Sequence, residues 1–133
     1  EVSWDTTKKT SGFTAVSGVG YFCDTTSAAF TVTLPATPSA GNVVAVSDYA
    51  GTFNTNNLTI ARNGSNINGS ANDFIIGKNN VTAQFIYVDA TQGWRVVFTG
   101  SQTGEGLLEG FMCATGGRSR LFSCSRWRFR WSY

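Results

Sequence analysis

Histidine is absent from this chain of 133 residues. Without an imidazole, the Ser-His-Asp and Cys-His catalytic arrangements cannot form, and neither can zinc sites that require histidine. Charge is also scarce, since only 14% of the residues are charged while 41% are hydrophobic. A chain with this balance has enough apolar surface to build a core, which argues against general disorder.

Cysteines and long apolar runs are scarce as well. Cys23, Cys113 and Cys124 are the three cysteines, and their odd number and wide spacing predict neither a metal cluster nor a dense disulfide framework. We interpret them as small buried thiols, with a Cys113–Cys124 bridge as the alternative. The apolar runs are far shorter than the roughly 18 residues of a membrane-spanning helix, and no signal-peptide apolar core is visible. Because the first residue is Glu1, we expect a processed product, a fragment or a numbering that omits upstream residues.

Small and hydroxyl-bearing residues are abundant instead. The chain contains 15 glycines, 17 threonines, 13 serines and 10 asparagines. These residues suit short strands and tight turns, whereas strong helix formers are few. Seven or eight β-prone segments follow one another at intervals of roughly 8–12 residues. We therefore predict an all-β fold, a compact sandwich or prism of about eight short antiparallel strands.

Individual segments carry the strand pattern. Residues 30–34 (FTVTL) alternate between apolar and polar side chains, as a strand with one buried face does. Residues 42–48 (NVVAVSD) are apolar on both faces, which is typical of a strand that is covered on two sides. The Asn-Gly pairs at 63–64 and 68–69 predict tight turns. Five aromatic residues in these patterns are predicted to belong to the core: Phe30, Phe74, Phe85, Trp94 and Phe98.

Composition and charge divide the chain into four parts. Residues 1–11 are predicted to be an extended arm or linker, 12–99 the β domain, 100–110 a glycine-rich connector, and 111–133 a basic, aromatic C-terminal strand or tail. Residues 1–110 have a net charge of −3, whereas residues 111–133 contain five arginines and no acid. The surface is therefore expected to combine a mildly acidic body with a basic tail.

The C-terminal end alternates with a period of two, so that arginines share one face of a strand and aromatic rings the other. An aromatic strand face pairs well with another sheet edge, and the arginines then meet water or acidic groups. We predict that this segment docks between subunits. The alternatives are that the tail is solvated or that it binds a polyanion. Nucleic acid is a less favoured partner than another subunit. The predicted docking residues are Arg126, Trp127, Arg128, Phe129, Arg130, Trp131 and Tyr133.

Four aspartates lie near strand ends or turns, where aspartate commonly accepts hydrogen bonds from local backbone N–H groups. They are Asp24, Asp48, Asp73 and Asp89. Glycosidase chemistry requires two carboxylates that face each other, and nothing in the sequence indicates such a pair. The regular spacing of Asp and Asn residues in a calcium-binding loop is also missing. We therefore predict no catalytic residue, no metal site and no cofactor, and a protein that is not an enzyme.

Three aromatic residues near predicted turns are candidate contacts for a carbohydrate: Tyr21, Tyr49 and Phe53. An aromatic ring face packs well on the C–H groups of a sugar. The alternative is that these rings pack against their own turns.

The order of the motifs resembles a β-rich module of structural proteins of tailed bacteriophages, notably tail-fibre and virion-surface proteins of cyanophage-like viruses. The segments that carry the resemblance are FTAVSGVGYFCDTT (13–26), FTVTLP (30–35), GNVVAVSDYAGTF (41–53), LTI (58–60), the two Asn-Gly turns and YVDATQGW (87–94). Together they span residues 13–94, roughly two thirds of the chain, and residues after about Thr99 lie outside the pattern.

The resemblance implies a non-enzymatic building block on the surface of a phage particle, assembled as a homotrimer with other virion proteins. The expected function is that of a tail-fibre module for assembly and host attachment, with a host surface glycan as a further partner. The alternative is a capsid decoration or cement protein that stabilises the capsid lattice. A polysaccharide-cleaving enzyme is a third, less favoured reading. A membrane is not among the expected partners.

Overall fold

The computed structural model describes residues 2–99, which form nine β-strands and, within that range, no helix. The predicted all-β fold is therefore confirmed, and the number of strands is close to the eight expected. The strands are β1 (Ser3–Lys9), β2 (Phe13–Thr14), β3 (Val19–Cys23), β4 (Phe30–Thr33), β5 (Val43–Asp48), β6 (Leu58–Ala61), β7 (Phe74–Ile76), β8 (Thr82–Asp89) and β9 (Gly93–Thr99).

The first six strands alternate between two sheets. One sheet has five strands in the order β1-β3-β5-β8-β9, and the other has four in the order β2-β4-β6-β7. The pairs β1–β3, β3–β5, β2–β4 and β4–β6 are all parallel. The chain therefore coils through three successive turns, and each turn contributes one strand to each sheet.

Antiparallel pairing, as predicted from the sequence, is wrong for this coiled half of the domain. A short polar loop between consecutive strands is typical of a hairpin, but here each loop carries the chain from one sheet to the other. Ser17-Gly18 joins β2 of the four-stranded sheet to β3 of the five-stranded sheet. Neighbours within a sheet are consequently one full turn apart in sequence, as in the pairing of Gly20 with Ala45.

The second half of the domain is antiparallel, as predicted. β7 pairs with β6, β8 pairs with β5, and β9 pairs with β8. The loop between β6 and β7 contains both Asn-Gly pairs, and all four residues have a positive φ, from 50° at Asn63 to 94° at Gly64. Asparagine and glycine tolerate this left-handed conformation better than other residues, which explains the success of the turn prediction.

The core lies between the inner faces of the two sheets. Val44, Val46 and Phe85 from the five-stranded sheet are fully or almost fully buried, as are Leu58 and Ile60 from the four-stranded sheet. The predicted double-sided burial of β5 is confirmed, because Ala45 on its other face is also buried. Alternation within β4 is confirmed too, since Val32 is buried and its neighbour Thr31 is exposed.

The five aromatic residues predicted for the core differ in burial. Phe85 and Trp94 are fully buried, and Phe30 and Phe74 pack against the core while remaining partly exposed. The prediction is wrong for Phe98, which is 49% exposed. Among the strands of residues 2–99, β9 is the last of its sheet, and none of them covers the end of β9 where Phe98 lies.

The predicted division of the chain changes at the N-terminus. The segment expected to be an arm or linker contains β1, which is the edge strand of the five-stranded sheet. The predicted connector (100–110) and the Arg/aromatic C-terminal strand lie outside the described residues. Within residues 2–99 there is no helix long and apolar enough to cross a membrane.

Candidate functional site

The parallel strands β1, β3 and β5 end side by side. In the register of the sheet, Lys9 lies opposite Cys23, and Cys23 lies opposite Asp48. The pairing continues past the strand ends, because the N–H of Asp24 donates to the Lys9 carbonyl at 2.8 Å and the N–H of Tyr49 donates to the Cys23 carbonyl at 2.9 Å. Three segments that are far apart in sequence therefore meet at the carboxyl ends of these strands.

Four side chains of these segments form a surface group, here called the carboxyl-end cluster: Lys8, Asp24, Thr26 and Tyr49. The Lys8 ammonium lies 3.2 Å from the Asp24 carboxylate and 5.0 Å from the centre of the Tyr49 ring. The Tyr49 side chain is 55% exposed. The cluster thus combines an accessible aromatic ring with a cation and an anion, which are groups that bind carbohydrate by packing and hydrogen bonding.

The Asp24 carboxylate is held in one orientation. Its Oδ1 atom accepts hydrogen bonds from the Thr26 hydroxyl at 2.6 Å and from the Thr26 N–H at 3.0 Å. These two bonds, together with the Lys8 ammonium, hold the pKa of Asp24 below its ordinary value. Asp24 is therefore a carboxylate acceptor at neutral pH, with one oxygen facing Thr26 and the other facing Lys8.

Asp48 fixes the loop that presents Tyr49. Its side chain is only 8% exposed. One carboxylate oxygen accepts the N–H groups of Gly51 and Thr52, at 3.0 and 3.1 Å, and the other accepts those of Phe53 and Asn80, at 3.3 and 2.9 Å. The carboxylate therefore connects three backbone N–H groups within the loop after β5. It also links that loop to the loop before β8.

The neighbouring loops are also linked to each other. The hydroxyls of Thr25 and Thr52 are hydrogen-bonded at 2.7 Å, and the Asn56 side-chain amide donates to the Thr25 carbonyl at 2.8 Å. Thr25 is fully buried beneath these contacts. The backbone under the carboxyl-end cluster is thus cross-connected, so a ligand at the cluster would meet a preorganised surface.

Of the three aromatic residues predicted to contact a glycan, the structure leaves only Tyr49 accessible. Tyr21 lies on the inner face of β3, its hydroxyl accepts the N–H of Val16 at 2.9 Å, and its ring packs against Phe13. Phe53 is fully buried in the core. The prediction is therefore wrong for Tyr21 and Phe53, because both rings are buried in the core between the two sheets.

Lys8, Asp24 and Thr26 are members of the cluster that the sequence analysis missed. They are far apart in sequence from Tyr49, and only the parallel register brings them together. The alternating pattern of residues 19–23 could have placed Tyr21 inside, since it shares a face with Val19 and Cys23. No local signal marks Lys8 as a neighbour of Tyr49.

Asp24, Asp48 and Asp89 accept local backbone N–H groups, as predicted, whereas the acceptor role of Asp73 is toward a residue eleven positions away. Besides Asp24 and Asp48, Asp73 accepts the N–H of Arg62 at 3.0 Å, and Asp89 accepts those of Thr91 and Gln92 at 3.0 and 2.8 Å. In residues 2–99, no three or more His, Cys, Asp or Glu side chains gather as metal ligands do.

Cys23 is buried at the end of β3, as the thiol interpretation predicts. Burial, reinforced by the nearby Asp48 carboxylate, raises the pKa of its thiol to about 12. The thiol is therefore protonated and unreactive at neutral pH. Cys113 and Cys124 lie outside the described residues.

A second surface feature, here called the end groove, lies where edge strands β7 and β9 approach each other. The rings of Phe74 on β7 and Phe98 on β9 are 5.8 Å apart. Its volume is about 230 Å³, and its lining is Ile75, Ile76, Gly77, Lys78, Val81 and Phe98. The predicted docking residues from Arg126 to Tyr133 lie outside the described residues.

These features define residues 2–99 as an all-β domain in which two sheets are built from a three-turn coil and closed by antiparallel strands. It has two distinctive surfaces, the carboxyl-end cluster and the end groove. No protein-family model matches the chain, and no curated protein matches it in sequence.

Proposed function

We propose that this chain is a structural component of a tailed-bacteriophage particle, a tail-fibre-type module on the virion surface that attaches to host surface glycans. The observation that carries the attachment role is the accessible Tyr49 ring beside Lys8 and Asp24. The all-β coil supports the structural role, since its strands are held by backbone pairing in two sheets around one core. The resemblance of residues 13–94 to tail-fibre modules supplies the phage assignment.

The geometry suits a sugar ring better than a flat apolar ligand. The Tyr49 ring offers a face to sugar C–H groups, while the Lys8 ammonium donates and the Asp24 carboxylate accepts hydrogen bonds from hydroxyls. Because the Asp48 carboxylate fixes the adjacent loop, little conformational entropy is lost when a ligand binds. The proposed mechanism is binding without bond cleavage, and the protein is proposed not to be an enzyme.

Replacing Tyr49 with alanine is expected to weaken binding of the full chain to immobilised cyanobacterial surface polysaccharide by about tenfold, equivalent to about 1.4 kcal/mol. Tyr49→Phe keeps the ring and is expected to retain most of the binding. Val88→Ala, which alters an exposed residue outside the cluster, is the control. Equal binding by Tyr49→Ala and the unaltered protein, measured by surface plasmon resonance, would contradict the attachment role.

Assembly as a homotrimer, with the basic C-terminal segment docked between subunits, completes the proposal. Deleting residues 118–133 removes five arginines and the alternating aromatic residues. The deletion is expected to shift the oligomer toward monomer at micromolar concentration, because the docking contacts are lost. Light scattering with thermal unfolding provides the measurement. A truncated chain that assembles with undiminished stability would refute the docking role.

The end groove favours a second candidate, a capsid decoration or cement protein. Exposed apolar side chains on a sheet edge suit permanent contact with lattice neighbours, whereas they have no role in binding a glycan. A cement protein would bind purified capsids and make them more resistant to heat, and it would not bind host polysaccharide. Locating the protein in an image reconstruction of the particle separates the two functions.

A further inference from the structure

The outer face of the five-stranded sheet carries a tryptophan that lies flat on the backbone. Trp4 on β1 is opposite Gly20 on β3 in the register of the sheet. A Cβ atom added to Gly20 would lie 2.6, 2.7 and 2.8 Å from the Cε3, Cδ2 and Cζ3 atoms of Trp4. Because these three neighbouring ring atoms are almost equally distant, the face of the ring and not its edge rests on Gly20. The side chain is 38% exposed, and this exposed area therefore belongs to the opposite ring face and the ring edges.

The row of residues that contains Trp4 leaves a depression beside the ring. Across the five strands the row is Trp4, Gly20, Ala45, Gln84 and Val97. Gly20 and Ala45 have the smallest side chains of the row, so the sheet surface is low between Trp4 and Gln84. The depression has a volume of about 410 Å³, and its lining is Val2, Trp4, Val43 and Gln84. An indole face next to a side-chain amide can bind one ring of a sugar by packing and hydrogen bonding.

Phe22 lies between this depression and the carboxyl-end cluster. Side chains two residues apart on a strand share a face, so Gly20, Phe22 and Asp24 lie on the outer side, whereas the residues between them are buried in the core. The Phe22 ring is half-buried, and its centre is 5.0 Å from that of Trp4. From Gly20 to Asp24 the chain advances about 13 Å, at about 3.3 Å per residue. A single sugar ring is too short to contact both ends.

Polar groups accompany the rings along this face. Ser47 and Thr82 follow Phe22 in the register, and their hydroxyls are hydrogen-bonded to each other at 2.9 Å. Gln84 lies at one end of the face and Asp24 at the other. A sugar chain presents matching chemistry, since each of its rings has C–H faces and hydroxyl edges. Interfaces between two copies of one protein are more apolar, so this mixed face suits a sugar chain better than a second copy.

We propose that the outer face of β1 and β3 is an extended site for an oligosaccharide of several units, which reaches from the Trp4 depression to the carboxyl-end cluster. The proposal rests on the proposed attachment function and adds the class of ligand, a stretch within a glycan chain and not a single terminal sugar. Short fragments bind at the cluster, where Lys8 and Asp24 supply the charged groups. Longer fragments gain contacts with Phe22 and Trp4.

Fragments of cyanobacterial surface polysaccharide, separated by length, test the proposal on the full chain. Titration calorimetry of the unaltered protein is expected to give an affinity about tenfold higher for long fragments than for disaccharides. Trp4→Ala is expected to remove this gain and to leave the affinity for disaccharides unchanged, whereas Tyr49→Ala weakens binding at both lengths. Val97→Ala is the matched control, since Val97 lies in the same row and is 45% exposed but does not line the depression.

Two further variants separate binding from folding. Trp4→Leu keeps apolar cover on Gly20 without an aromatic face, and it is expected to lose the same gain. Trp4→Phe keeps a ring there and is expected to retain most of the gain. Thermal unfolding reports whether each variant is folded.

The pattern of losses distinguishes the extended site from the attachment function. A loss with Tyr49→Ala but not with Trp4→Ala or Trp4→Leu overturns the extended site and leaves the attachment function standing. An equal loss at every fragment length with the Trp4 variants also overturns the extended site. Unchanged binding in all variants contradicts the attachment function itself. A Trp4 variant that lowers the oligomer mass in light scattering identifies a second copy on this face and overturns the proposal.

Discussion

Replacing Asp48 with alanine is expected to lower the free energy of unfolding by about 3–5 kcal/mol. The carboxylate is nearly buried and accepts four backbone N–H groups from two loops. Alanine would leave these donors without their acceptor, and each buried donor that finds no new partner costs about 1–3 kcal/mol. Because water partly reaches the loop, the expected loss of unfolding free energy is smaller than the sum of four such penalties.

Asp89→Ala is the matched control for this substitution. Asp89 accepts two backbone N–H groups, but it does so in an exposed turn. Its replacement is expected to cost about 1 kcal/mol, because water can satisfy the freed donors. Urea titration of both variants provides the measurement. Similar losses at the two positions would show that the buried carboxylate is not what holds the loops together.

Replacing Gly93 with alanine is expected to lower the free energy of unfolding by at least about 4 kcal/mol. Gly93 has a φ of 69°, and a Cβ at this position would overlap the carbonyl oxygen of Asn66. That oxygen accepts the N–H of Trp94 at 2.8 Å, and the N–H of Asn68 donates to the Trp94 carbonyl at 2.8 Å. The added methyl group would push the β6–β7 loop off the start of β9.

Gly41→Ala separates this clash from the cost of the backbone conformation alone. Gly41 also has a positive φ, of 92°, but no atom lies within 4 Å of the position of an added Cβ. Alanine there is expected to cost only about 1–2 kcal/mol. Thermal unfolding of the two variants gives the comparison. If Gly93→Ala lowers the free energy of unfolding by no more than Gly41→Ala does, then the β6–β7 loop moves aside at no energetic cost, and the clash argument is wrong.

Local features of the fold could be predicted from the sequence because they depend on adjacent residues. The alternation of residues 30–34 places Val32 inside and Thr31 outside, which is a direct result of strand geometry. The Asn63-Gly64 turn forms because these two residues tolerate positive φ. The all-β class, the approximate number of strands and the turn roles of Asp24, Asp48 and Asp89 follow from the same kind of evidence.

The pairing of the strands could not be predicted in the same way. A loop that closes a hairpin and a loop that crosses to a facing sheet use the same turn residues, so Ser17-Gly18 is compatible with both. Which one forms depends on whether β3 buries more apolar surface beside β2 or beside β1 and β5, and that is a property of the whole domain. The site was hidden for this reason, because Lys8 and Tyr49 meet only through the parallel register.

The order of strands in each sheet has a consequence for the way the protein is made. In both sheets the strands are arranged in the order of their synthesis, β1-β3-β5-β8-β9 and β2-β4-β6-β7. A nascent chain leaving the ribosome at about 5–20 residues per second can therefore add each new strand to an edge that already exists. No strand has to be inserted between two that have already paired. The domain is thus suited to vectorial, co-translational folding from its first turn to its last.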